Sequence, residues 1–300
     1  MQCCHLHKSV FAMEKLIRFD WAIKKLLRNK ANFDILEGFL SAMFQDDVTV
    51  VNLLESEGNQ DDESDKFNRV DLVVENGKHE LILIEVQVQA EYDFFQRISY
   101  GVSKLITEYI ERGQPCKNVK KVVSVSVTYF NLGVGDDYLY YGSTQFVGRH
   151  THDTLRLTDK QYEAFGTRDV QKLFPEHYLI RVEKFPDTIY DAIDEWIYML
   201  KHSEVKPEFT SKHIQDASEK LRIMNLDAVQ RRAYDNYMQN VSYKQSMLWS
   251  SREEGRELGQ QEAVMTIARN LLANRVALEI IATSTGLSVE QIQRLQHENE

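Results

Sequence analysis

Proline is scarce in this chain, with four in 300 residues. No proline-rich linker separates domains, so a boundary has to be sought in polar stretches instead. Cysteine is scarcer still: Cys3, Cys4 and Cys116 are the only three. Three thiols do not make a disulfide framework, which favours a reducing, cytoplasmic setting. No run of about 18 apolar residues occurs, so no segment reads as a membrane span. The N-terminus lacks the apolar stretch and small-residue cleavage site of a secretory signal. Patterned sequence begins only at Met13, so residues 1–12 read as a disordered leader and Met13 as a candidate start. The spacing of Cys3-Cys4-His5-Leu6-His7 is too cramped for four zinc ligands.

Positive charge is also short. A net charge of −10 argues against tight non-specific binding to nucleic acid, which relies on Lys and Arg against phosphates. Much of the acidic excess is local. Glu55, Glu57, Asp61, Asp62, Glu63 and Asp65 share one Gly/Asn/Ser-containing stretch that reads as a solvated loop. Basic residues cluster elsewhere, at Lys24, Lys25, Arg28 and Lys30 and again at Lys117, Lys120 and Lys121.

What is present suffices for one good core and a helical appendage: 43% of the residues are hydrophobic. Apolar residues from Trp21 to Met43 recur at helical spacing, with a break at Asn29–Asn32. Val48–Leu54 reads as a short strand. Two strongly apolar strands, around Val70–Val74 and Leu81–Val88, flank an Asn76-Gly77 hairpin signal. Tyr92–Arg112 reads as an amphipathic helix stopped by Gly113 and Pro115, and Val119–Tyr129 as a β-branched strand. Further strands are expected at Tyr138–Val147 and Tyr178–Phe185. Helices then follow from Asp187 onward, including Ile214–Tyr243, Arg252–Ala273 and Arg275–Gln296. This order predicts an α/β fold, a mixed sheet with helices on its faces. The domain boundary is expected near Ser203–Ser211, dividing residues 13–205 from a helical region at 206–300.

The chemistry concentrates in the hairpin. Asp71, Glu85 and Gln87 interrupt strands that otherwise read as buried, and a buried carboxylate needs a partner, hydrogen bonds or a metal. Strand alternation sets Glu85, Gln87 and Gln89 on one face. Asp71 joins them only if the turn has an odd number of residues. A three-residue loop, Glu75-Asn76-Gly77 with Gly77 left-handed, is therefore expected. Two nearby carboxylates without a cation raise one pKa sharply, so a divalent ion is the natural resolution. Asp71, Glu85 and the backbone carbonyl of Val86 would offer hard oxygen ligands to Mg²⁺ or Mn²⁺.

Asp71, a spacer, then Glu85-x-Gln87 resembles the PD-(D/E)xK nuclease signature, with Gln in place of the usual Lys. The segments Phe19–Leu27, Asp34–Leu40, Arg69–Asp71, Ile84–Gln87 and Gln96–Tyr100, extended by Tyr178–Phe185 and Asp194–Lys201, are similar to the recombination-promoting nuclease (Rpn) family of that superfamily. This family is also labelled putative transposase. The resemblance implies a restriction-endonuclease-like core and a divalent-metal-dependent DNA endonuclease tied to recombination or mobile elements. It implies catalytic roles for Asp71, Glu85 and Gln87. Supporting roles fall to Glu37 on the first long helix, to Gln96 and Tyr100 one helical turn apart, and to Arg97 as a phosphate-binding cation. Gln87 can orient a water but supplies no charge. The alternative is a weak or inactive nuclease-fold protein that binds DNA or a partner.

The tail, Leu278–Ile292, reads as helix, Gly286 turn, helix, with Ser288 and Gln291 as a capping box. The second helix carries Glu290, Glu298 and Glu300 against Arg294 and His297. Such a face repels phosphate, so helical packing or homo-oligomerisation is expected there rather than groove reading.

Overall fold

The computed structural model describes residues 16–54, 72–110 and 114–297. The leader, the acidic loop, Asp71, Gly113, Glu298 and Glu300 lie outside these. The chain divides into two compact units, one ending at Asp227 and one spanning Ala228–Glu300.

The first unit opens with α1 (Phe19–Lys25) and α2 (Phe33–Phe44). The Asn29 side chain accepts from Ala31 N–H at 3.0 Å and nucleates a short turn between the two helices, at the expected break. Strands β1 (Val50–Leu54), β2 (Leu72–Asn76) and β3 (Leu81–Gln87) follow as an antiparallel meander. Helix α3 (Phe94–Glu108) then carries the chain to β4 (Val122–Thr128), parallel to β3. Next come β5 (Leu139–Gly142), α4 (Asp159–Phe165), β6 (Glu176–Arg181), α5 (Ala192–His202) and α6 (Ile214–Lys220). The sheet order is β1-β2-β3-β4-β6-β5, with β3, β4 and β6 parallel and the other pairings antiparallel. The fold is thus the expected mixed sheet flanked by helices. Helix α4 escapes the periodicity reading because none of its residues is buried. A Thr158–Gln161 capping box marks its start instead.

Alternation assigns the two faces of the sheet. Val73, Leu81, Leu83 and Val122 pack with Val102 and Leu105 of α3, so odd-numbered β2 and β3 residues face that helix. The Phe44–Tyr178 ring contact, centroids 5.1 Å apart, sets the end of α2 on the other face. Helices α2 and α5 meet through Phe39 and Trp196, 6.0 Å between centroids. Gly38 permits that approach: a Cβ there would clash with Lys212 O and stand 2.8 Å from Trp196 Cζ2.

Residues 206–227 stay with the first unit, downstream of the boundary expected at 205/206, for a physical reason. The buried Glu195 carboxylate on α5 accepts the N–H groups of Thr210 (2.9 Å) and Ser211 (2.7 Å). Ile214 and Ala217 of α6 are fully buried, and α6 contacts α2.

In the second unit, α7 (Ala228–Ala273) is a single helix of 46 residues. It runs through the gap expected between Tyr243 and Arg252, because residues 244–251 contain neither Pro nor Gly to interrupt the hydrogen-bond ladder. α8 (Leu278–Thr285) and α9 (Val289–His297) fold back on its end. Ala268, Ile281, Ile292 and Leu295 form their common core. Gly286 is left-handed at φ 74°, and Ser288 and Gln291 form the expected reciprocal cap. No helix among the described residues is long and apolar enough to cross a membrane.

Candidate active site

The hairpin decides which side chains share a face. Its loop is Gly77-Lys78-His79, with His79 rather than Gly77 in the left-handed region (φ 61°). Asn76 accounts for the difference. Its Oδ1 accepts Lys78 N–H at 3.0 Å and Glu80 N–H at 2.9 Å, while its backbone carbonyl accepts His79 N–H at 2.9 Å. The Asn side chain thus builds a turn followed by one left-handed residue. The loop has three residues, as expected, but sits two positions further along the chain. Leu72 lies opposite Ile84 and Glu75 opposite Leu81. This register leaves odd-numbered residues of both strands facing α3.

Glu85 and Gln87 occupy that face near the C-terminal end of β3 and are 6% and 9% exposed. Arg97, one turn into α3, reaches down to them. Its Nη2 donates to Glu85 Oε1 and lies 3.5 Å from Gln87 Oε1, and its Nη1 donates to Glu91 Oε2 at 2.5 Å. Gln87 Nε2 donates to the other Glu91 oxygen at 2.6 Å. The guanidinium also sits over the Phe94 ring, 5.5 Å from its centroid. Glu85, Gln87, Glu91 and Arg97 therefore form one connected polar centre, with two carboxylates around one guanidinium.

The other expected residues are placed differently. Asp71 lies outside the described residues. Val86 is buried in β3, its side chain on the face opposite Glu85. Gln96 and Tyr100 share a face of α3, but both are exposed. Glu37 is engaged elsewhere, its Oε1 accepting Val50 N–H at 2.8 Å. Val50 pairs with Asn76 at the hairpin end of the sheet, away from Glu85. The structure thus gathers Glu85, Gln87 and Arg97 and leaves Glu37, Gln96 and Tyr100 apart from them.

Glu91 was not among the sequence candidates. It lies in the irregular link between β3 and α3, where neither strand alternation nor helical spacing applies. The available signal was a carboxylate six residues before an arginine at the start of the following helix.

A second group, Asp34, His213 and Asp216, has ligand-type atoms within 4.8 Å of one another. Its carboxylates already have partners. Lys220 Nζ lies 2.8 and 2.7 Å from the two Asp34 oxygens, and His213 Nδ1 lies 2.7 Å from Asp216.

No curated protein and no solved structure matches the chain. Two family models do. Residues 261–297, which form the end of α7 with α8 and α9, match the Rpn/YhgA-like nuclease family C-terminal HTH domain. Residues 17–250 match the PD-(D/E)XK nuclease family transposase. With most of its length covered by the second model and its end by the first, the chain belongs to the Rpn family of the PD-(D/E)XK nuclease superfamily.

Proposed function

We propose that this protein is a divalent-metal-dependent DNA endonuclease that hydrolyses phosphodiester bonds during recombination or the movement of mobile elements. The observation that carries the reading is the buried Glu85–Gln87 pair on β3, faced by Arg97, in a nuclease-family domain. Asp71 immediately precedes Leu72. Its role as a second carboxylate beside Glu85 in the chemistry is part of the proposal.

The donor chemistry suits Mg²⁺ or Mn²⁺. Glu85, Glu91 and Asp71 offer carboxylate oxygens, the hard ligands such ions take, and the buried Glu85 already requires a positive partner. When bound, the ion would polarise the scissile phosphate and activate a water. The chain's own groups have separate roles. Glu85 and Asp71, with the Val86 carbonyl, would hold the ion. Arg97 binds the non-bridging phosphate oxygens, for which a guanidinium fork is well shaped. Gln87, held by Glu91 at 2.6 Å, orients the attacking water through its amide.

A second reading has its own support. Gln87 stands where the superfamily signature has Lys, and Arg97 already satisfies Glu85. A catalytically weak chain that binds DNA or a partner through the same fold fits both facts. DNA as partner is favoured by the helix-turn-helix match at 261–297. Self-association is also proposed, through α7, where Met247, Leu248 and Trp249 are exposed. A cytoplasmic location suits the exposed Cys116 thiol.

The test is nicking of supercoiled plasmid with Mg²⁺ or Mn²⁺ by wild type, Asp71→Ala and Glu85→Ala. Metal-dependent nicking lost in both variants supports the nuclease reading. DNA binding without nicking by wild type supports the second. Nicking that survives both substitutions would place the chemistry elsewhere.

A further inference from the structure

Beside the Glu85–Arg97 centre, on the flank of α3 toward β6, lies a groove of about 370 Å³, the size of a small-ligand pocket. Phe95, Ile98, Ser99 and Ser103 form its helical wall, and Ser126 and His177 lie on its strand side. Among the described residues no Asp, Glu, Lys or Arg lines it, although 27% of the chain is charged. Burial holds the His177 imidazole below its ordinary value. At neutral pH the ring is therefore uncharged, with one nitrogen donating and the other accepting. Ser126 is 2% exposed and turns its hydroxyl-bearing side into the groove lining. Phe95 is 54% exposed and presents a flat apolar ring at the mouth.

Such a lining rejects a bare phosphate, which wants cations, and a metal ion, which wants carboxylates. It suits a neutral, partly apolar group with a hydrogen-bonding edge. The charged groups are next door. Ser126 is the cross-strand partner of Glu85, about 5 Å away by the spacing of paired strands, and Ile98 follows Arg97 directly. A ligand filling both places has an anion joined by a short tether to a flat neutral heterocycle, which describes one nucleotide of a nucleic acid.

We propose that the groove receives one unpaired nucleobase of the DNA substrate, beside the phosphate that Arg97 holds. This deepens the nuclease reading and rests on its DNA substrate. Phe95 supplies the stacking surface, and Ser126 and His177 meet the hydrogen-bonding edge of the base, the division of labour used for extruded bases. Bulged, gapped or frayed DNA is then preferred over a continuous duplex, because its base is already unstacked.

The test uses the full chain in EDTA and two DNAs, one with 2-aminopurine unpaired in a bulge and one with it paired in a duplex. Binding should change 2-aminopurine emission in the bulged DNA and leave the paired probe nearly unchanged. Ser103→Trp fills the groove from an exposed helical position. It should weaken bulged-DNA binding about tenfold, within the range one stacked base contributes, with duplex affinity unchanged. Ser103→Ala should behave as wild type. Phe95→Ala, which removes a largely exposed ring, should weaken bulged-DNA binding without loss of fold. Equal affinity of wild type, Ser103→Trp and Phe95→Ala for the bulge would overturn the proposal, as would indifference to the bulge or no DNA binding at all. The nuclease reading fails separately. A chain that captures the base in EDTA but never nicks plasmid keeps this inference and loses that one.

Discussion

At the scale of single residues, the polar groups in the sheet are held by specific partners. Glu85 and Arg97 are the central pair, with side chains 8% and 16% exposed. Removing one partner of a buried pair costs about 3–5 kcal/mol, because the other charge stays behind. Arg97→Ala should therefore destabilise by roughly that amount in urea unfolding, and Glu85→Gln/Arg97→Ala by clearly less. If Glu85 holds a metal, Mn²⁺ should raise the urea midpoint of Arg97→Ala more than that of wild type. An equal metal response would argue against Glu85 as a ligand. Glu75 is the second case. The Lys120 ammonium at 2.9 Å, with His79 beside it, holds this carboxyl down from 4.5 to about 2. A carboxyl lowered on folding stabilises above its unfolded value and stops doing so once protonated in the fold. The stability gap between wild type and Lys120→Ala should be about 1 kcal/mol at pH 6, kept small by the partial exposure of Lys120. It should close between pH 4.5 and 2. A gap that stays constant over this window would refute the assignment.

At the scale of elements, two kinds of helical glycine behave oppositely. Gly38 lies where α2 meets α5, and a Cβ there would overlap Lys212 O and crowd Trp196. Gly38→Ala should destabilise by about 1–3 kcal/mol or more, since two packed helices must part. Gly255 and Gly259 lie within α7 with nothing inside 4 Å of an added Cβ. Alanine at either position should stabilise that helix by up to about 1 kcal/mol. Circular dichroism across a urea titration would read both signs, and destabilisation by Gly255→Ala would reveal an unseen neighbour. The hairpin belongs to this scale too. One asparagine side chain, by bonding Lys78 and Glu80, selects the loop and so the register that turns Glu85 toward α3.

At the scale of the whole molecule, charge governs the encounter with DNA. Net charge is −10, and many of the cations are already engaged. Lys78, Lys120, Lys121, Lys201, Lys212 and Lys220 pair with Asp46, Glu75, Glu176, Asp187, Asp47 and Asp34. Each of these lysines must leave its carboxylate before it can displace counterions from phosphates. The logarithm of DNA affinity should fall with the logarithm of salt with a slope of about −3 or shallower. A slope near −6 or steeper, measured by fluorescence anisotropy, would show a phosphate-binding surface that these pairs do not suggest.

Local pattern determined much of this molecule. Helical spacing and a polar break predict α1 and α2, β-branched runs predict β3 and β4, and the Gly286 turn with its Ser288–Gln291 cap predicts α8 and α9. These elements rest on contacts close in sequence, where periodicity, capping and turn chemistry act directly. Glu85 and Gln87 stood out for the same reason, as polar residues in an apolar strand, whereas Arg97 was expected from the resemblance of its helix to the family. Tertiary structure decided what those side chains do. It set Arg97 between Glu85 and Glu91, gave Glu37 to the Val50 N–H, left Gln96 and Tyr100 on an exposed face, and kept residues 206–227 in the first unit through Glu195. The loop shift around Asn76 and the unbroken α7 were also settled beyond motif spacing. A carboxylate's partner is chosen by which N–H or cation the folded chain brings within about 3 Å, and such distances between remote residues leave no period in a sequence.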